Sequence, residues 1–172
     1  MKYVIGLLCF FFSLGLSAQE APAKNKAIKR FVYQKNSRIV KRVYDSVYFD
    51  VSYEAGNKWV FKFSHQLEES PLVSDDEYTE TFEFEIDPPK GNRFRIAEGD
   101  FEKHQVIFNR SCFCPDGGPR QLYEGTITGK RVRGNTWLIS FEGMIQARPG
   151  KDFAPYEKKW KAYFKPNQSI SK

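Results

Sequence analysis

Hydrophobic and polar positions alternate with period two along most of this chain, the spacing of half-buried β-strands. From Ser46 to Tyr53, the residues Val47, Phe49, Val51 and Tyr53 fall on one face and Ser46, Asp50 and Ser52 on the other. Trp59, Phe61, Phe63 and His65 repeat the pattern against Lys58, Lys62 and Ser64, with Glu54-Ala55-Gly56-Asn57 between the two runs. Facing residues of an antiparallel pair share a side. The pattern therefore predicts a hairpin that sets Tyr53 against Trp59, Val51 against Phe61 and Phe49 against Phe63, with Ala55-Gly56-Asn57 as its loop.

A second hairpin is predicted beyond Ser70-Pro71. Tyr78, Phe82, Phe84 and Ile86 alternate with Thr79, Thr81, Glu83 and Glu85, Asp87-Pro88-Pro89-Lys90-Gly91-Asn92 turns the chain, and Phe94 and Ile96 return. Glu80, Glu83 and Glu85 read as an outward, solvated acidic face. After a turn at Gly99-Asp100, the residues His104, Val106 and Phe108 share a side, and Ser111 to Arg120, rich in proline and glycine, reads as a long loop. Tyr123, Gly125, Ile127 and Gly129 then run to a turn near Gly134-Asn135. Trp137, Ile139, Phe141, Gly143 and Ile145 give the longest alternation, and Tyr156, Trp160, Ala162 and Phe164 close the series with lysines opposite. Residues 28–44 fit one helical face as well as strands, but their Val, Ile and Tyr content favours strands.

Eight or nine sequential strands predict an all-β fold, an antiparallel up-and-down barrel or a barrel-like sandwich, with a possible N-terminal helix over 28–44. Each amphipathic strand has to bury its apolar face, and sheet edges have to be paired or covered. The outline resembles lipocalin-type barrels, but the Gly-x-Trp signature carried near the start of those proteins is missing here.

The first 18 residues stand apart. Lys2 precedes an apolar run from Val4 to Phe12, and Ser13-Leu14-Gly15-Leu16-Ser17-Ala18 supplies a small-residue exit, the three parts of a secretory signal. The run is too short to cross a bilayer as a stable helix, and no second long apolar stretch follows. Residues 1–18 are therefore expected to be a signal peptide cleaved after Ala18. Residues 19–172 are expected to form a single β-rich domain, secreted or periplasmic, without a transmembrane segment. Gln19–Lys26 and 167–172 read as loose ends, and Cys9 lies inside the leader's apolar core.

Charge adds a polarity to this picture. The formal net charge is +6, of which Lys2 belongs to the leader. Eight basic residues and no acid lie between Lys24 and Arg42, whereas nine acids and no base lie between Glu68 and Asp87. Two solvated faces are the simplest reading; a basic surface for an anionic partner is the functional one. No motif indicates nucleic-acid binding.

Candidate chemistry is sparse. After the leader, Cys112 and Cys114 are the only cysteines, and an exported protein meets an oxidising compartment, so a disulfide between them is expected. His65 and His104 are the only histidines, and both fall on apolar strand faces, so no metal site and no cofactor are predicted. No nucleophile elbow, zinc-protease helix or phosphate loop occurs, so no catalytic residues are assigned and an enzyme is not the expected class. Tyr53, Trp59, Phe61, Tyr123, Trp137 and Trp160 are the candidate ligand-binding residues, because a barrel of about eight strands either fills its interior or holds one small ligand. The leading expectation is a binding protein for a small apolar or anionic amphipathic ligand. The alternatives are a cell-envelope interaction or inhibitor protein acting through its surface, and a thiol redox or metal protein centred on the Cys-x-Cys loop.

Overall fold

A computed structural model describes residues 27–44, 48–67, 77–147 and 153–167. The predicted leader lies outside them. The fold is all-β. Among the described residues the nine strands are β1 (Ala27–Val43), β2 (Phe49–Leu67), β3 (Tyr78–Ile86), β4 (Arg93–Ile96), β5 (Ile107–Cys112), β6 (Gly118–Gln121), β7 (Gly125–Arg133), β8 (Thr136–Ile145) and β9 (Tyr156–Pro166). They lie in the order β4-β7-β8-β9-β1-β2-β3-β5-β6. All neighbours are antiparallel except β1 and β9, which meet in parallel at Val32 opposite Lys165 and Tyr33 opposite Pro166. The backbone N–H of Asn167, assigned from sequence to a loose end, donates to the Tyr33 carbonyl at 2.7 Å and extends this junction. The outer strands β4 and β6 do not join, so the sheet curls into a barrel-like sandwich without closing.

Residues 28–43 are strand, as their Val, Ile and Tyr content favours over the alternative helix, and β1 pairs with β2 along almost its whole length. Two other sequence expectations are corrected. The hairpin predicted around Ala55-Gly56-Asn57 does not form. β2 is one continuous strand, and Tyr53 and Trp59 both face β1, opposite Ile39 and Lys35 respectively. Ala55 and Lys58 both lie opposite Ser37, so the intervening residues form a bulge that bends the long hairpin where a turn was expected. Asn36 takes the left-handed conformation there (φ 53°), and Gly56 leaves room for Arg38, whose Cβ would lie 3.0 Å from an added Cβ. Second, β4 does not return beside β3. Pro88-Pro89 ends β3, and the chain crosses to pair β4 with β7, leaving β3 between β2 and β5.

The bend divides the β1–β2 hairpin into two working halves. Its inner half, residues 27–35 with 59–67, lines the core. Its outer half, residues 37–43 with 49–54, folds over the outward face of β2, β3 and β5, where Ile39, Phe49 and Val51 pack on Val60 and Ile107. This covers acids that the alternation assigned to a wet face. Glu83 is 3% and Glu85 8% exposed, and Glu85 accepts a hydrogen bond from the backbone N–H of Ile39 at 2.8 Å.

The interior is filled. Phe61, fully buried, stacks on Phe84 at 5.1 Å and Tyr33 at 5.2 Å between ring centroids, and meets Trp137 and Phe164 edge-on. Phe82, Phe141 and Trp160 continue the stack from both halves of the sandwich. On β7, Gly129 lies beneath the Phe94 ring of β4, so close that an added Cβ would fall 2.1 Å from a ring carbon.

Candidate functional site

Four of the six residues predicted to touch a ligand lie in this packed interior. Phe61 and Trp137 are fully buried, and Trp59 and Trp160 pack against the same cluster. Tyr53 and Tyr123 lie apart from them, 42% and 51% exposed. The six do not converge on one cavity, and the hollows of the molecule lie on its outside.

A network of charges ties β3, β5 and β6 to β9 and to the segment after β8. Glu80 has the same strand parity as Tyr78 and Phe82, so it points inward and not outward as predicted. It accepts hydrogen bonds from Tyr78 Oη (2.6 Å), Arg110 Nη2 (3.2 Å) and Lys158 Nζ of the facing strand β9. Asp116, from the loop between β5 and β6, accepts from Arg110 Nη1 (3.0 Å) and Arg120 Nη1 (2.9 Å), while Arg120 also donates to the Asp116 and Gln146 carbonyls. Arg110 completes the set with Tyr156 Oη at 2.6 Å. Burial and the hydrogen bond to Glu80 push the Tyr78 hydroxyl up to about 12. Both carboxylates are thus held by cations, Glu80 by Arg110 and Lys158 and Asp116 by Arg110 and Arg120.

The Cys112–Cys114 pair adjoins this network. The Cα atoms are 5.2 Å apart with the sulfurs at bonding distance, Cys112 lies opposite Tyr78, and the bridged segment leads directly to Asp116. A bridge between residues two apart closes a minimal loop and removes little unfolded-chain entropy. Replacing both cysteines with serine is expected to lower the unfolding free energy by no more than about 1.6 kcal/mol. Chemical denaturation checks this, and a larger loss would mean that the bridge also holds Asp116 in place. Among the described residues no group of three or more His, Cys, Asp or Glu could hold a metal ion. His104 Nδ1 is hydrogen-bonded with the Glu85 carbonyl at 2.8 Å, and His65 lies on β2 opposite Glu80.

A different surface carries unpaired charge. The strands β4, β7, β8 and β9 present an outward face whose side chains are set in register across the sheet. One row runs Arg95, Thr128, Ser140, Lys161; the adjacent row runs Arg93, Lys130, Leu138, Tyr163. The parity follows from the core, because Phe94, Ile96, Ile127, Trp137, Ile139 and Phe164 take the inward positions. Small hydroxyl residues make the floor and long cations the walls, and the face is concave. A hollow of about 590 Å³ lies along Arg93, Arg95, Thr128, Lys130, Leu138 and Lys161, and adjoins others of about 420 and 700 Å³ that share Thr128.

The two ends of this groove differ in charge. At the far end Lys159 bridges Glu142 and Glu157, each at 2.9 Å, so its charge is spent locally. At the near end Arg93, Arg95, Lys130 and Lys161 have no carboxylate within ion-pair distance among the described residues. Four like charges around two hydroxyls repel one another and attract an anion, while Leu138 and the 60% exposed Tyr163 put apolar surface at their side. Sequence reading missed this groove. The alternation of Thr126, Thr128 and Lys130 with buried neighbours was visible, but the pairing of β4 with β7, which brings in both arginines, was not.

These features define an all-β barrel-like sandwich with a filled interior, a charge network linking β3, β5 and β6 to β9, and an open basic groove. No protein-family model matches the chain, and comparisons with curated proteins and with solved structures likewise give no match. Among the described residues no helix is long and apolar enough to cross a membrane.

Proposed function

We propose that this chain is an exported binding protein for an anionic amphipathic ligand, held in the outer groove of β4, β7, β8 and β9 and not inside the sandwich. One observation carries the reading: among the described residues Arg93, Arg95, Lys130 and Lys161 stand without carboxylate partners around the hydroxyls of Thr128 and Ser140. An anionic head group such as a phosphate or carboxylate would accept hydrogen bonds from these cations and hydroxyls. Its apolar portion would lie over Leu138 and Tyr163. The packed aromatic interior supports an external site, and the leader pattern of residues 1–18 supports export.

Titration calorimetry with dodecyl phosphate below its micelle concentration tests the proposal, with dodecyl maltoside and inorganic phosphate as comparison probes. Saturable binding of dodecyl phosphate, stronger than that of either comparison probe, is the expected result. The R95A/K161A variant is expected to lose about tenfold in affinity, since each exposed cation contributes up to about 1 kcal/mol. Equal binding of the neutral detergent, or no effect of the double substitution, would remove the basic groove from the account.

A further inference from the structure

On the opposite side of the sandwich, the bent hairpin leaves a second hollow of about 410 Å³ between its outer half and the outward face of β3, β5 and β6. This is within the size range of small-molecule sites. Its floor is polar. Glu83, 3% exposed, has one carboxylate oxygen bonded by the Tyr53 hydroxyl and the other 3.7 Å from Lys62 Nζ. Lys62 in turn donates to Tyr53 Oη at 2.9 Å. Thr81, 9% exposed, also lines the hollow, and its buried hydroxyl has no hydrogen-bond partner. Buried hydroxyls are ordinarily satisfied, so one left unpaired just behind the wall of a cavity points to a missing donor or acceptor. Asn109 lies directly opposite Thr81 on β5, and Ser52 adds another hydroxyl from the hairpin.

The charge of the lining selects the kind of ligand. Arg42 and Lys62 balance Asp50 and Glu83, so the hollow as a whole favours neither anions nor cations. A buried carboxylate with spare lone pairs, an amide, two hydroxyls and a tyrosine ring are groups that hydrogen-bond several hydroxyls at once while offering a flat apolar contact. We infer that this hollow binds a neutral polyhydroxylated molecule of the size of a single sugar unit. Glu83 and Asn109 would meet its hydroxyls, Thr81 would turn its buried hydroxyl toward the hollow and gain its absent partner, and Tyr53 would lie at the rim. The site is separate from the basic groove, so either can fail without the other.

Backbone amide NMR shifts report the outcome residue by residue. Titration with glucose, galactose, mannose and N-acetylglucosamine is expected to give saturable shifts from at least one of them, centred on Thr81, Glu83 and Asn109 and absent from Thr128 and Ser140. T81V, which keeps the shape and removes the unsatisfied hydroxyl, is expected to fold at least as stably as the parent and to bind roughly 5–10-fold more weakly. N109A supplies a second variant on the other strand, with loss of binding in a spectrum that otherwise stays folded. No saturable shift with any of the four sugars, the same shifts produced by sodium sulfate, or unchanged affinity in T81V would each overturn the inference.

Discussion

Replacing Phe61 with alanine is expected to lower the unfolding free energy by about 3–5 kcal/mol, the range for deleting a large aromatic from a packed core. The ring is fully buried and touches Tyr33, Phe84, Phe94, Trp137 and Phe164, which come from five different strands across both halves of the sandwich. The neighbours hold ring contacts of their own, Phe94 with Phe84 and Trp137, and Phe164 with Phe31 and Trp160, so they cannot collapse into the space without breaking them, and the cavity term stays large. Since domains of this kind have total stabilities of about 5–15 kcal/mol, the variant will be near its limit. Chemical denaturation of F61A beside F113A measures the effect. Phe113 is 90% exposed, and its loss is expected to change stability by less than about 0.5 kcal/mol. A loss of under about 1 kcal/mol in F61A would mean that the interior is looser than the ring contacts describe.

Glu80→Ala is expected to cost a similar amount, about 3–5 kcal/mol, for an electrostatic reason. Glu80 is the anion between Arg110 and Lys158. Without it these two cations and Arg120 share only Asp116, in a region largely withdrawn from water. The same residue gives stability a pH dependence. Burial alone would raise the Glu80 carboxyl, but the hydrogen bonds from Lys158 and Tyr78, with the charge of Lys158 and the bond from Arg110, outweigh it and hold the group below its ordinary 4.5. A group whose folded value is lowered stabilises the fold above its unfolded value, and that stabilisation disappears as pH falls through the folded one. The gap in unfolding free energy between the parent and E80Q should therefore be full at neutral pH and shrink as the pH is taken below 4.5. A gap that stays constant into acid would show that Glu80 acts by shape alone.

Several elements could be read from the sequence because their signal is local. β8 and β9 follow from unbroken alternation at Trp137–Ile145 and Tyr156–Phe164, and the Gly134-Asn135 turn joins β7 to β8 at the predicted place. Lys158 is the exception on β9, placed among the outward lysines by type but facing inward by parity, where it meets Glu80. The bend in β2 could not be told from a turn, since alanine, glycine and asparagine suit both, and only the length of β1 shows that one strand pairs with both halves. The acids of β3 misled for a related reason. Parity alone puts Glu80 inside with Phe82, and no local signal shows that a folded hairpin will cover Glu83 and Glu85. The basic groove was illegible because it needs β4 beside β7, about thirty residues away in sequence.

What the sequence determined alone was the all-β class and the inward aromatic set, because side chains alternate across a strand whatever its partner. It also placed the two cysteines close enough to bridge, through proximity along the chain. Tertiary structure decided which strands are neighbours, that the interior is filled, that charges tie β3 and β5 to β9, and where cations gather away from carboxylates among the described residues. Those outcomes depend on contacts between residues far apart in the chain, whose pairing is set by the packing of the whole sandwich and not by any one strand's pattern.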